Sequence, residues 1–445
     1  MLFRTLIASS LVLAASVAGA QEDPAGPILI TNVNVFDGLN EELIENANVV
    51  IDGNLITQIT TDEVAVAGGQ VIDAGGRTMI PGLTDSHWHM SLAELPQTAA
   101  LFGDAYEVGA RTVIAAERTL MRGFTTVRDL GGNSFAVHKM IEKGEAVGPR
   151  MLVSGPPLSQ TGGHYDYRLP YEVPAPVGDT LDFWGRNGLV VIADGVPLVQ
   201  QRAREVFRMG ATQLKMAVGG GVASVFDPLD VRQYSLDEVK AAVDVAESYN
   251  SYVAVHVFTD NAVQMAIEAG VKSIDHGFLL GRETLELMKE KDVWLSIQPL
   301  LDDEDRMTFP NPESTKKWLQ VTSATETIYP MAKEIGVKIA FGTDALFDKA
   351  TTDRQGKLLS KLEKLGFTPF EALKMATSDN AELFELAGPR HPYQEGPLGQ
   401  LTEGAYADLI LVDGNPLKDL SLVANPWDNF DLIMKDGVIY KYDME

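Results

Sequence analysis

His87 and His89 stand one residue apart in the stretch PGLTDSHWHM, residues 81–90. In an extended strand, positions two apart project from the same face. The two imidazoles can therefore close on one metal ion together. An HxH pair is weak by itself, because alternate histidines also suit a polar strand edge. A metal centre needs further nitrogen and oxygen donors brought to the same place. The chain offers Lys215 within QLKMAVGGG, His256 within YVAVHVF, His276 within SIDHG and Asp344 within IAFGTDA. No cysteine is present, so thiolate ligands and disulfides are excluded. Imidazole and oxygen donors suit zinc and other divalent ions.

Each of these residues has a plainer explanation. An Asp after Gly-Thr can be a helix N-cap, and a single His in an apolar strand can be a satisfied core residue. A lysine among apolar residues can snorkel to the surface. Inside a barrel, however, a bare ammonium is costly. There its pKa would fall, and the neutral amine could take up carbon dioxide as a carbamate, a carboxylate-like bridging ligand. What favours function is that all six fall at the carboxyl ends of predicted strands, the end where barrel enzymes assemble their sites.

Those strands are apolar β-type runs at 83–89, 125–130, 151–154, 213–218, 252–258, 273–276, 293–298 and 338–344. Helical patterns separate them, including 236–249 behind Ser235, 261–269 and 283–291. Eight strand–helix units predict an α/β fold, a (β/α)8 TIM-type barrel over residues 79–395. An open doubly wound sheet would show a glycine-rich phosphate turn after its first strand. The nearest candidate, Gly219-Gly220-Gly221, follows the fourth. The two ends read differently, as short strands punctuated by Asp-Gly at 37–38, 52–53, 413–414 and 436–437. Residues 21–78 and 396–445 are therefore expected to build one small β-sandwich domain together.

Residues 1–20 read as a signal peptide: Arg4 is the one charge, 6–17 are largely apolar, and Ala18-Gly19-Ala20 suits a cleavage site. A periplasmic or secreted protein follows, with no membrane association after cleavage. Lys+Arg 36 against Asp+Glu 62 gives a net charge of −26, which disfavours nucleic acid and anionic membranes as partners.

Taken together, PGLTDSHWH, Lys215, His256, SIDHG and GTDA resemble the amidohydrolase superfamily, the binuclear type with a carbamylated lysine. FTTVRDLGG at 124–132 and SQTGGHYD at 159–166 are similar to its imidazolonepropionase-like branch, which includes Xaa-Pro dipeptidases, carboxypeptidase-like dipeptidases and ochratoxin-type amidases. The branch's GGHGD is GGHYD here, with Tyr165 in place of a glycine, a swap that bears on substrate size.

The resemblance implies two divalent ions, zinc by preference. His87, His89 and Asp344 would hold one, His256 and His276 the other, with carbamylated Lys215 between them. It further implies that a hydroxide shared by the metals attacks a carbonyl while Asp344 carries the proton to the leaving amine. His164, after the third strand, is the candidate to hydrogen-bond the substrate carbonyl; the alternative is a loop histidine fixing Asp166. The long segment 165–188, with Tyr165, Tyr167, Tyr171, Phe183 and Trp184, has the length of an active-site lid. Its aromatics could pack a substrate group, or equally cover apolar surface or a subunit contact. Arg232 and Tyr234 are candidates for a substrate carboxylate, and His138 and His391 are read as structural or exposed.

The function expected is a metal-dependent amidohydrolase that cleaves the amide to a C-terminal amino acid, in dipeptides, N-acyl amino acids or aromatic amides such as ochratoxin A. The partner is thus a small-molecule amide, and the family suggests a homo-oligomer. A second reading is hydrolysis of cyclic amides or lactones. A deaminase fits less well, because such enzymes generally use one metal without the lysine. A metal- or ligand-binding barrel without turnover is the reading from another class, and Asp344 argues against it.

Overall fold

The computed structural model describes residues 26–169, 171–172, 183–309 and 311–444. The export signal expected over 1–20 lies outside the described residues, as does the middle of the 165–188 segment. Among the described residues, no helix is long and apolar enough to cross a membrane.

In chain order the strands are β1 (Ile28–Val35), β2 (Ile44–Asp52), β3 (Leu55–Thr60), β4 (Gln70–Asp73), β5 (Thr78–Pro81), β6 (Leu83–Trp88), β7 (Phe124–Asp129), β8 (Arg150–Val153), β9 (Leu158–Ser159), β10 (Val191–Ile192), β11 (Leu214–Ala217), β12 (Val253–Thr259), β13 (Ser273–Leu279), β14 (Trp294–Ile297), β15 (Ile339–Phe341), β16 (Leu409–Val412), β17 (Phe430–Lys435) and β18 (Val438–Tyr442).

The eight runs expected for the barrel are β6, β7, β8 and β11 to β15, and all their ladders are parallel. The ring is joined where these ladders end. Thr212 N–H donates to Val153 O at 2.8 Å, linking β8 to the entry of β11, and Asp344 N–H donates to His87 O at 2.8 Å, linking β15 to β6. The two-residue strands β9 and β10 sit beside β11 and extend the wall. The expected helices stand at Leu236–Ser248, Asp260–Ala269 and Arg282–Glu290. Ser235 and Glu238 close the first with a reciprocal capping box, which satisfies two otherwise orphaned N–H groups.

The terminal segments form one eight-stranded sheet in the order β18-β17-β16-β5-β1-β2-β3, with β4 paired to β1. The hairpins at Asp52-Gly53 and Asp436-Gly437 connect β2 to β3 and β17 to β18. Asp436 and Gly437 both have positive φ (57° and 74°), the backbone that a two-residue turn demands. The sheet's central strands read as unbroken apolar runs because both of their faces are covered. On β16, Leu409 and Leu411 point into the terminal domain's own core, while Ile410 and Val412 pack on the barrel. Met79 and Ile80 divide in the same way, as do Leu432 and Ile433. Period-two alternation thus seats the terminal sheet on the barrel.

Candidate functional site

The six donors named from the sequence gather at the carboxyl-terminal rim of the barrel. His87 ends β6, and the carboxylate Oδ1 of Asp344 lies 3.6 Å from its Nε2 and 3.3 Å from Nε2 of His89. Donor atoms of His87, His276 and Asp344 all fall within 4.8 Å of one another. The His276 ring sits 4.8 Å from that of His87 and 4.4 Å from that of His256, centroid to centroid. His276 and Asp344 both have positive φ (76° and 49°). Strain of that kind in non-glycine residues concentrates at functional sites, and here one such residue lies within β13 and the other just past β15.

Burial decides the protonation of this group. His87 is pushed down to about 4, first by burial and then by Lys215. Burial and His87 take His276 down to about 3, and burial, with His164 and His276 beside it, lowers His256 well below the usual range. All three are thus neutral near pH 7, with lone pairs free to ligate. Burial opposes ionisation of Asp344, but the imidazoles of His87 and His89 outweigh it and hold the acid well below the ordinary carboxylate range. Its Oδ1 is buried without a hydrogen-bond partner. A buried anionic oxygen left without a hydrogen bond beside the neutral imidazoles of His87 and His276 is what a cation would satisfy, so the donor set fits divalent metal.

Lys215 has no exposed surface, and its ammonium pairs with Asp275 Oδ2. Burial pushes it down more strongly than Asp275 holds it up. His256 directs Nε2 to the carbonyl of Gly220 at 3.0 Å. The structure thus places His256 and Lys215 in the cluster, each occupied by a partner of its own.

Several residues that orient the cluster gave no clear sign in the sequence. Asp275 Oδ1 accepts from Arg128 Nη2 at 2.9 Å and lies 3.5 Å from His87 Nδ1. Arg128, itself wholly buried, also donates to the carbonyl of Ser86 and the hydroxyls of Tyr252 and Ser273. Gln298 Oε1 meets His276 Nδ1 at 2.8 Å, which fixes that tautomer with Nε2 toward the cluster. Asp85 Oδ1 accepts from the backbone N–H groups of both His87 and Thr343, each at 3.0 Å. One carboxylate thus ties the strand carrying His87 to the strand end carrying Asp344.

Above the cluster opens a cavity of about 370 Å³. His164 and Tyr165 line it as expected. The alternative that His164 fixes Asp166 is overturned. Asp166 is taken by Arg168 and by the N–H of Gly162, whereas His164 Nδ1 meets Asp227 Oδ2 at 2.9 Å and Ser224 Oγ at 3.0 Å. Burial works against ionisation of Asp227, and His164 overrides it, lowering the acid. From the 165–188 segment, Tyr165 and Tyr167 reach the cavity wall and Trp184 is buried against them, while Tyr171 is exposed. His138 is partly buried against Glu142 and His391 is buried, accepting from Tyr393 N–H.

Two expected substrate contacts need correction. Neither Arg232 nor Tyr234 belongs to the cavity wall. Arg232 is exposed, held by a bridge between its backbone and Gly219. Tyr234 is buried, and burial together with the nearby Asp194 and Glu238 raises its hydroxyl. Position after a strand end does not fix side-chain direction, and a turn at positive φ (64°) carries Tyr234 away from the cavity.

A parallel eight-stranded barrel with a His, Asp and Lys cluster at its carboxyl rim defines a metal-assisted hydrolase class. Residues 78–440 match the amidohydrolase family, and the chain belongs to it. It is 34% identical to an ochratoxinase of Aspergillus niger over 377 residues, 82% of this chain and 75% of that one. The solved A. niger ochratoxinase superposes with a TM-score of 0.81 at 29% identity, covering 94% of this chain and 96% of the other. A prolidase complexed with N-methylphosphonate-L-proline gives a TM-score of 0.83 at 33% identity, covering 94% and 100%. The family and these relatives make the chain an amide-hydrolysing enzyme.

Proposed function

We propose that the protein is a metal-dependent carboxypeptidase-like amidohydrolase, cleaving the amide that joins an acyl or aminoacyl group to an amino acid with a free carboxylate. The observation that carries it is the unmatched Asp344 oxygen among His87, His89 and His276, at the floor of a largely apolar cavity. The names of the relatives, ochratoxinase and prolidase, support the same substrate class.

His87, His89, His256, His276 and Asp344, with Lys215 as its carbamate, would hold two divalent ions, zinc suiting these donors. Bound there, such ions acidify water and polarise a carbonyl. The chain's own groups do the rest. Asp344 takes a proton on its carboxylate and returns it to the leaving nitrogen. His164, with Nδ1 committed to Asp227, is positioned to hydrogen-bond the carbonyl oxygen through Nε2 as charge develops. The apolar wall, including Phe258, Phe278 and Trp318, excludes water from these groups and strengthens their interactions. Export to the periplasm or beyond rests on residues 1–20.

The test is hydrolysis of Xaa-Pro, Xaa-Arg and Xaa-Phe dipeptides, N-acyl-phenylalanines, ochratoxin A, lactones and cyclic amides by zinc-reconstituted enzyme, with metal counted per chain. Release of a free amino acid at two metals per chain supports the proposal. Opening of the lactones or cyclic amides without cleavage of the acyclic amides would replace it with the cyclic-substrate reading, which similarity to an imidazolonepropionase of Streptomyces griseus, 25% identical over 402 residues, keeps in view. An Asp344→Asn variant that retains metal and turnover would sink the proton-transfer role.

A further inference from the structure

With Arg232 outside the cavity, the carboxylate of an amino-acid product needs another receptor. Arg354 stands just before the helix Gln355–Ser360, on the segment that follows β15, the same strand end that delivers Asp344. Among the described residues of the cavity wall it is the one lysine or arginine. Its side chain is about one-third open (32%).

The charge of Arg354 is loosely matched. Nη1 donates to the backbone carbonyl of Asp305 at 2.9 Å, while Nε stands 3.7 Å from the Asp305 carboxylate, beyond hydrogen-bond reach. That carboxylate is already held at 2.9 Å by both Lys357 and Lys361. Its neighbours Asp303 and Glu304 meet Lys361, Lys364 and Lys357 in turn. Three acids thus face three lysines, and Arg354 is the fourth cation. A backbone carbonyl steadies one prong of its planar fork without neutralising it, which leaves the guanidinium able to take a carboxylate on two nitrogens.

We propose that Arg354 binds the free carboxylate of the substrate's amino-acid half and thereby sets specificity for N-acyl amino acids over their neutral carboxamides. This rests on the amidase reading above. A largely apolar cavity with one loosely paired guanidinium among the described residues of its wall discriminates by charge. An acid finds a partner there, while a carboxamide leaves the guanidinium partly unmatched and must itself be desolvated.

The experiment compares kcat/KM for N-acyl-phenylalanine and the matching N-acyl-phenylalanine amide in wild type, Arg354→Gln and Arg354→Lys, with thermal melts to establish folding. Wild type is expected to prefer the acid by about ten-fold or more, the range of one charge-assisted contact. In Arg354→Gln that ratio should fall to within about three-fold of unity, through KM rather than kcat, and Arg354→Lys should recover part of it. An acid-to-carboxamide ratio that survives intact in Arg354→Gln overturns the assignment, whatever happens to overall rate. Wild type that cleaves the acid but shows no preference over the carboxamide also overturns it and leaves the amidase reading standing. Failure of wild type to cleave either compound defeats the amidase reading itself, and this assignment with it.

Discussion

His164 lies flat on His256, with ring centroids 3.8 Å apart and planes 11° from parallel. A loop residue expected to touch substrate is thereby stacked on a residue of the metal cluster, and Asp227 pins its far nitrogen. Asp227 is fixed in turn, because Lys317 donates to the carbonyls of Gly221, Ser224 and Asp227 at 2.8–3.0 Å. Asp227→Asn keeps the shape but removes the charge that orients the imidazole. The expected result is a fall in kcat of about ten- to a hundred-fold, the worth of a buried charge-assisted hydrogen bond. Metal content should be unchanged, and elemental analysis beside steady-state kinetics checks both.

Gly221 gives a sharper probe of the same residue. A Cβ at this position would lie 2.0–2.2 Å from two atoms of the His164 ring, so Gly221→Ala must displace the imidazole. The position carries no left-handed backbone requirement, and the folded chain should tolerate the methyl group. Activity is expected to drop by about ten-fold or more while the melting temperature moves by only a few degrees. Unchanged kinetics would remove His164 from the reaction.

Lys215→Ala tests the carbamate. The side chain has no exposed surface, and its loss leaves Asp275 with Arg128 and His87 as its remaining partners. Metal per chain should fall, and activity with it by about a thousand-fold or more. Supplied with ¹³C-bicarbonate and zinc, wild type should show a carbamate carbon resonance that the variant lacks. An equal spectrum from both proteins would rule out modification at this lysine.

The residues legible in the sequence were those whose position alone carries the information. His87, His89, Lys215, His256, His276 and Asp344 all lie on or just past strands, and strand ends converge in a parallel barrel. Asp275 was hidden by being next to His276, since alternation assigns neighbours to opposite faces until a positive φ at His276 breaks the rule. Asp227 lies 63 residues from His164, inside a loop with no periodicity to read. Arg232 was misplaced for a related reason, because nothing local reports which way a loop side chain turns. At two residues each, β9 and β10 are too short for any pattern.

The lowered imidazoles make the metal-free protein sensitive to acid. Unfolded histidines take protons near 6.5, whereas folded His87 resists to about 4 and His276 to about 3, and His391 is pushed down to about 4, chiefly by burial. Below pH 6.5 the unfolded chain therefore binds more protons at these sites, and stability declines toward pH 4. Asp85 and Asp129, raised by burial to about 6, act oppositely: folding favours their protonation between about 4 and 6. Three histidines outweigh two aspartates, and His256 shifts in the same direction as the three. Urea midpoints of chelator-treated protein should fall from pH 7 to pH 5. Saturating zinc should flatten that decline, because bound metal adds stability by mass action. A midpoint that rises over this interval would contradict the burial of these imidazoles.

A dipeptide brings an α-ammonium into the cavity, and that charge needs a carboxylate. Among the described residues of the wall, every carboxylate is already engaged. Asp166 holds Arg168, Asp227 holds His164, Asp305 holds two lysines, and Asp344 sits in the metal cluster. An ammonium entering would be desolvated without a partner, a loss of several kcal/mol by the usual scale for buried charges. A neutral acyl group instead meets apolar walls such as Val222, Leu300 and Phe309 and gains about 25 cal/mol for each Å² it buries. N-acetyl- and N-benzoyl-phenylalanine should therefore be cleaved with kcat/KM at least about ten-fold above that of Ala-Phe or Phe-Phe at pH 7.5. Benzoyl should exceed acetyl because it buries more apolar area. If the dipeptides equal or exceed the acyl compounds at pH 7.5, and lose that advantage once the ammonium deprotonates above pH 8.5, an acidic receptor for the amino group exists in this cavity and the apolar-acyl preference is wrong.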